Sequence, residues 1–151
     1  MPNEITRYIA ELNRLYKAGN TTGHSYCPAL QNLLQNIIAP LQVTNEPKRI
    51  ACGAPDFIVM RDAIPLGYIE AKDVGTDLNG KAHKAQFDRY KRSLQNLIIT
   101  DYLTFQLFDN GVELMVVSIA RVVGSDIIPD ESAFNAFKIL LTAFPVMPVI
   151  P

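Results

Sequence analysis

Between Phe57 and Ile119 the sequence is divided into short apolar runs, "FIVM", "GYIEA", "NLIIT", "LTFQLF" and "VELMVVSI", rich in β-branched and aromatic residues. Nothing else in the chain constrains the fold as strongly, because runs of this length and composition demand a sheet. The flanking segments have a different period. Ile5, Tyr8, Ile9, Leu12 and Leu15 recur at helical spacing, with Asn3 as N-cap and Gly19 just past the end, which predicts a helix over 3–18. Leu30, Leu33, Leu34, Ile37 and Ile38 form the stripe of a second helix, opened by the loop or cap "NTTGHSYCP" and stopped by Pro40. Thr76 to about Leu94 predicts a third helix, weakened early by Gly80. A last helix over about 132–144 carries Phe134, Phe137, Leu140, Leu141 and Phe144 on one side.

"LQVTNEPKRI" predicts an irregular edge strand, since Pro47 cannot donate to a ladder. "LTFQLF", the turn "DNG" and "VELMVVSI" predict a hairpin. The order of elements predicts an α/β fold, a mixed central β-sheet flanked by α-helices, with its core over about 24–120. A chain of 151 residues, 48% apolar and 19% charged, is expected to form one folded domain over 1–151 rather than a disordered segment. The tail "FPVMPVIP" is apolar and suggests the first part of a larger polypeptide.

The net charge of −1 excludes a broadly basic nucleic-acid binder, so any such contact needs a local patch. The N-terminus lacks the basic-then-apolar layout of a signal peptide, and no apolar run approaches the roughly 18 residues of a membrane span. Cys27 and Cys52 are too few for a disulfide framework or a four-cysteine zinc site. The expected compartment is the cytoplasm, with no membrane partner. His24 and His83 have no paired ligand or nucleophile and read as surface or cap residues.

The stretch "GAPDFIVMRDAIPLGYIEAKDVG" places charge where isoleucine and valine would otherwise be expected. Asp56 stands at the mouth of the first run, and Glu70 and Lys72 stand inside the second. Alternation along a strand sends Glu70 and Lys72 to one face with Leu66 and Tyr68, and Ile69 and Ala71 to the other. If the hairpin turns about Ala63, partner numbers sum to 126 and Asp56 lies opposite Glu70. Their Cβ atoms would then be about 4.5–5.5 Å apart. A slip of one residue would send Asp56 to the wrong face.

Two carboxylates that close repel each other, and one is driven to take a proton unless a cation neutralises them. Lys72 brings a single charge. Mg²⁺ resolves the conflict better, because it takes oxygen ligands from one or two carboxylates plus water and phosphate. It also polarises a phosphoryl oxygen and activates water, while Lys72 orients that water or stabilises developing charge. The same residues equally fit a plainer arrangement, with Asp56 capping a turn after Pro55 and Glu70 with Lys72 forming a solvated pair.

Gln86 and Tyr90 lie four apart on one helical face, extended by Ala82 and Ser93. They suit hydrogen bonding to a phosphate or to neighbouring catalytic groups; the other reading makes Tyr90 core and Gln86 surface. Lys72, Lys81, Lys84, Arg89, Lys91 and Arg92, against Asp73, Asp77 and Asp88, form a basic patch that Lys48 and Arg49 extend. Such a patch could follow a phosphate backbone without reading sequence, or be a solvated helix face.

Taken together, "GAPDF", "YIEAK" and "QFDRY" resemble the PD-(D/E)xK nuclease superfamily, in the branch with an added Gln-x-x-x-Tyr signature. The resemblance is closer still to the N-terminal nuclease domain of single-chain, Type ISP-like restriction–modification enzymes. It runs in order from His24 to Phe105 through "HSY-x-PAL-x-x-LL", "TNEPKRI-x-CGAPDFIV", "GYIEAKD-x-G", "Q-x-x-RY" and "NLI-x-TDYL-x-F". It implies a restriction-endonuclease-like core and a Mg²⁺-dependent DNA endonuclease in which Mn²⁺ substitutes. Asp56, Glu70 and the Ala71 carbonyl would hold the metal, Lys72 would be the catalytic lysine, and Gln86 and Tyr90 would complete the catalytic set. It further implies helicase-like, methyltransferase and target-recognition domains outside this chain, and a second copy for double-strand cleavage. The chain departs from the pattern twice. The second helix offers Gln31 and Gln35 where many members have an acid, with Glu46 the nearest spare carboxylate, and Cys27 stands where arginine is common. A docking module of the same fold, inactive alone, is the competing reading.

Overall fold

The computed structural model describes residues 3–19, 23–38, 42–45, 56–62 and 64–144. Two N-terminal helices, α1 (Glu4–Ala18) and α2 (Gly23–Ile37), precede the strands β1 (Gln42–Asn45), β2 (Phe57–Arg61) and β3 (Ile64–Ala71). Helix α3 (Lys84–Ser93) leads to β4 (Asn96–Thr100), β5 (Thr104–Asp109) and β6 (Val112–Ser118). A small hairpin of β7 (Ala120–Val123) and β8 (Asp126–Pro129) comes before α4 (Phe134–Ala143).

The helix α1 forms where its local signals place it. The Asn3 side chain accepts from the Thr6 N–H at 2.9 Å, and Gly19 closes the other end at φ +78. Helix α2 begins at Gly23, earlier than the expected loop allowed, and contains Pro28, which removes one helical hydrogen bond without ending the helix. Helix α3 starts later than expected. The Asp77 side chain accepts from the Asn79 N–H at 3.0 Å and its carbonyl from the Gly80 N–H at 3.1 Å, so a local turn takes the backbone groups a helix would use.

Strands β1 to β6 make one sheet in sequence order, antiparallel throughout except for β3 and β4. A parallel pair needs a crossover, and the segment carrying α3 supplies it. The larger core lies on one face, where α1, α2 and α4 bury Ile5, Leu12, Leu30, Leu34, Phe137 and Leu141 against Phe57, Ile69, Ile98 and Phe105. Each such side chain contributes about 1.5–3 kcal/mol. On the other face a smaller core joins Phe87, Tyr90 and Leu94 to Leu97, Ile99 and Phe108.

The β2–β3 ladder pairs Phe57 with Ile69, Ile58 with Tyr68 and Val59 with Gly67, so partner numbers sum to 126 at that end, the expected register. It then shifts to pair Met60 with Pro65, and Leu66 is the extra residue of a bulge. Leu66 therefore packs in the larger core instead of sharing the face of Tyr68. Asn96, fully buried, donates from Nδ2 to the Leu66 carbonyl at 2.9 Å. Gly67 leaves room for the Phe144 ring, which an added Cβ would overlap.

The β5–β6 turn at Asn110 (φ +51) and Gly111 (φ +82) matches the expected hairpin. The β7–β8 hairpin was not expected, although Gly124–Ser125 is a recognisable two-residue turn. It packs on α1, where Asn13 Oδ1 accepts from the Ile127 N–H at 2.8 Å.

The edge strand β1 is closed from outside. Gln31 Nε2 donates to the Val43 carbonyl at 3.0 Å, and Gln35 Oε1 accepts from the Val43 N–H at 3.0 Å. Two glutamines four apart on α2 thus satisfy both outward backbone groups of an edge residue.

Candidate active site

The end of β3 is gripped from both sides. The Lys72 N–H donates to the Thr100 carbonyl at 2.8 Å, continuing the parallel ladder with β4. The Ala71 N–H, pointing the other way, donates to Asp56 Oδ2 at 2.8 Å. In extended backbone the N–H and C=O of one residue leave from the same edge, so the Ala71 carbonyl also faces the Asp56 side.

Glu70 points to the face covered by α3 and is 4% exposed. Its Oε2 is 3.7 Å from Lys72 Nζ, while its Oε1 is buried with no hydrogen-bond partner. Burial pushes the Glu70 carboxyl up to about 8, the Asp56 charge adds to the push, and Lys72 only partly opposes it. A buried acid beside a second acid, with one cation between them, holds charge badly. Lys72 is itself half-covered, with Nζ 5.8 Å from the centre of the Phe87 ring on α3.

Asp56, Glu70, Ala71 and Lys72 are thus brought together. The orphaned Glu70 oxygen and the hard oxygen donors suit a divalent cation such as Mg²⁺, which would also quench the repulsion. Among the described residues no three His, Cys, Asp or Glu side chains cluster, so such a cation would rely on two carboxylates, main chain and water.

Tyr90 is buried in the smaller core, and Gln86, half-buried, donates from Nε2 to its hydroxyl at 3.4 Å. Both sit on the helix that covers Glu70. Lys81, Lys84 and Arg89 are exposed, and Lys84 Nζ is 2.6 Å from Asp88 Oδ2, which offsets its charge. Lys48, Arg49, Glu46, Cys52 and the tail after Phe144 lie outside the described residues. Gln31 and Gln35 face β1, where they hold backbone groups. Cys27 is buried with Sγ 3.2 Å from the Tyr102 hydroxyl. His83 is the N-cap residue of α3 and packs on Phe87, with ring centres 5.6 Å apart.

Sequence reasoning missed the buried polar groups beside this site, Thr100, Asp101 and Gln106. The signal was a glutamine inside the otherwise apolar "LTFQLF" and an aspartate at the end of "NLIIT". Burial raises the Asp101 carboxyl above its ordinary value, against backbone N–H groups that favour its charge. Tyr8, whose hydroxyl donates to the Tyr102 carbonyl at 2.7 Å, is raised well above the usual phenol range, chiefly by burial.

No family model matches the sequence, and no curated protein matches it. Among solved structures, a chain of the cryoEM structure of a DrdV–DNA complex is similar, with a TM-score of 0.72 and 23% identity. The match covers 97% of this chain and 14% of that one. The fold is a restriction-endonuclease-like core, a mixed sheet between helices. Among the described residues no helix is long and apolar enough to cross a membrane.

Proposed function

We propose that the chain is a metal-dependent endonuclease domain that hydrolyses phosphodiester bonds in DNA with little sequence preference of its own. The observation that carries this reading is the buried Glu70 carboxylate, with one oxygen unpartnered, set beside Asp56 and Lys72. DNA as substrate is supported by the DrdV structure being a DNA complex.

Asp56, Glu70 and the Ala71 carbonyl would hold Mg²⁺, or Mn²⁺ in its place. The bound ion supplies charge stabilisation at the scissile phosphate and a water of lowered pKa. Asp56 is kept in place by the Ala71 N–H, with its carboxyl against that of Glu70. Lys72, with Nζ near Glu70, is placed to donate to a phosphoryl oxygen or to orient the attacking water. Tyr90, buried in the smaller core, helps to seat α3 on this face, and Gln86, bonded to its hydroxyl, would steady the neighbouring catalytic groups. Lys81 and Arg89 offer sequence-independent phosphate contacts. Helicase-like, methyltransferase and target-recognition domains would lie in the rest of a longer polypeptide, and cutting both strands would take two copies.

A plasmid-nicking assay with Mg²⁺ tests the reading. Wild type should nick, and Asp56→Ala and Lys72→Ala should lose roughly 100-fold or more. Equal activity in all three overturns it. A docking module without chemistry is the second reading, favoured by the net charge of −1. It would take up no Mg²⁺ in a calorimetric titration, whereas the proposed site binds Mg²⁺ in a manner that Glu70→Gln abolishes.

A further inference from the structure

We propose that Asp101 and Gln106 are positioning residues that pin the segment after Lys72, residues 73–80, and so keep the lysine beside Glu70. This rests on the reading of Asp56, Glu70 and Lys72 as a cleavage site.

The β4–β5 turn is built around one carboxylate. Asp101 Oδ1 accepts from the Leu103 N–H at 3.1 Å and the Thr104 N–H at 2.7 Å. The Thr100 hydroxyl accepts from the Tyr102 N–H at 2.9 Å and donates to the Thr104 carbonyl at 2.7 Å. This tight turn holds Tyr102 at φ +74, a conformation that a bulky residue adopts only when its surroundings impose it.

The same turn reaches across to the end of β3. Thr100 holds the Lys72 N–H through its carbonyl at 2.8 Å, and the Gly75 N–H favours the charge of the Asp101 carboxylate. The β4–β5 turn thus fixes the start of Lys72–Gly75 by a hydrogen bond, and its carboxylate is felt at the other end. Gly75 turns at φ +89 with open space around it, so its backbone conformation is what the turn requires.

Further along, Leu78 is buried in the smaller core, and Gln106 Nε2 donates to Asn79 Oδ1 at 3.2 Å. Gln106 is 4% exposed and lies in the cross-sheet row of Glu70, since Ile99 pairs with both. A buried amide on an apolar strand costs stability unless it is bonded, and the Gln106 amide donates to this segment.

The test crosses Asp101→Asn, Asp101→Ala and Gln106→Leu with Lys72→Ala in the full chain. In the wild-type background each should slow Mg²⁺-dependent nicking roughly 10–100-fold, with half-saturating Mg²⁺ changed by less than about twofold. In the Lys72→Ala background the same changes should alter the residual rate by less than about threefold, because they act through the lysine. A purely structural role would cost the same in both backgrounds, and that result overturns the proposal. Amide hydrogen exchange provides a readout without cleavage. Exchange at 73–79 should quicken roughly tenfold in Asp101→Asn and Gln106→Leu, while the β6 amides hold. Unchanged exchange at 73–79 overturns the pinning whether or not the protein cuts DNA. A wild type that fails to nick overturns the cleavage reading alone and leaves the pinning to the exchange result.

Discussion

Replacing Glu70 by glutamine should stabilise the metal-free protein, and by an amount that depends on pH. In the unfolded chain this carboxyl loses its proton near the ordinary 4.5; in the fold it keeps it to about 8. Between those values the native state binds more protons, so stability falls as pH rises through the window and stays low above it. At about 1.4 kcal/mol per pH unit the window corresponds to an upper bound of about 5 kcal/mol. Relaxation and water entry around the ion should reduce this to about 2–3 kcal/mol. Glutamine keeps the volume, carries no charge and can donate toward Asp56. Urea denaturation should therefore find wild type and Glu70→Gln nearly equal at pH 4.5, with the variant about 2–3 kcal/mol more stable at pH 8.5. Magnesium should reverse the order in part. At ten times its Kd it would add about 1.4 kcal/mol to wild type and nothing to the variant. A stability difference that is the same at both pH values would refute the reasoning, because it would mean that Glu70 carries no desolvation penalty in the fold.

Gly67→Ala should lower stability by about 1–3 kcal/mol, since the new methyl must displace the Phe144 ring; thermal melting of Gly67→Ala and of Gly67→Ala with Phe144→Leu checks it, the second change restoring most of the loss. Removing either glutamine of the β1 clasp, Gln31→Ala or Gln35→Ala, should cost about 1 kcal/mol and speed amide exchange at Val43, with the double variant costing less than the sum. If Lys81 and Arg89 touch phosphates, each alanine variant should reduce the slope of log affinity against log salt by about 1 in a titration with duplex DNA, with no change in sequence preference.

The elements that follow local rules were legible in the chain. The α1 stripe needs only a 3.6-residue period, an asparagine before it and a glycine after it, and all three act within a few residues. The Asn110–Gly111 turn needs two residues that tolerate positive φ. The β2–β3 register over Phe57–Val59 was readable from alternation and hairpin length, and with it the grouping of Asp56, Glu70 and Lys72. Where two local signals competed, the reading went astray. Asp77 turns the backbone before α3, and Leu66 leaves the Tyr68 face because an extra residue enters the strand.

The sequence alone settled which residues carry the charges of the candidate site and how far apart they stand along the strands, since alternation and turn length are properties of neighbouring residues. Tertiary structure decided how those charges behave. Glu70 is an ordinary carboxylate until α3 covers it, and Lys72 is one cation among many until β4 holds its amide. The partners of Gln106, Gln31 and Gln35 are distant in sequence or on separate elements, so no periodicity could announce them. Desolvation and hydrogen-bond geometry depend on everything packed around a group, and that exists only once the sheet and helices have closed.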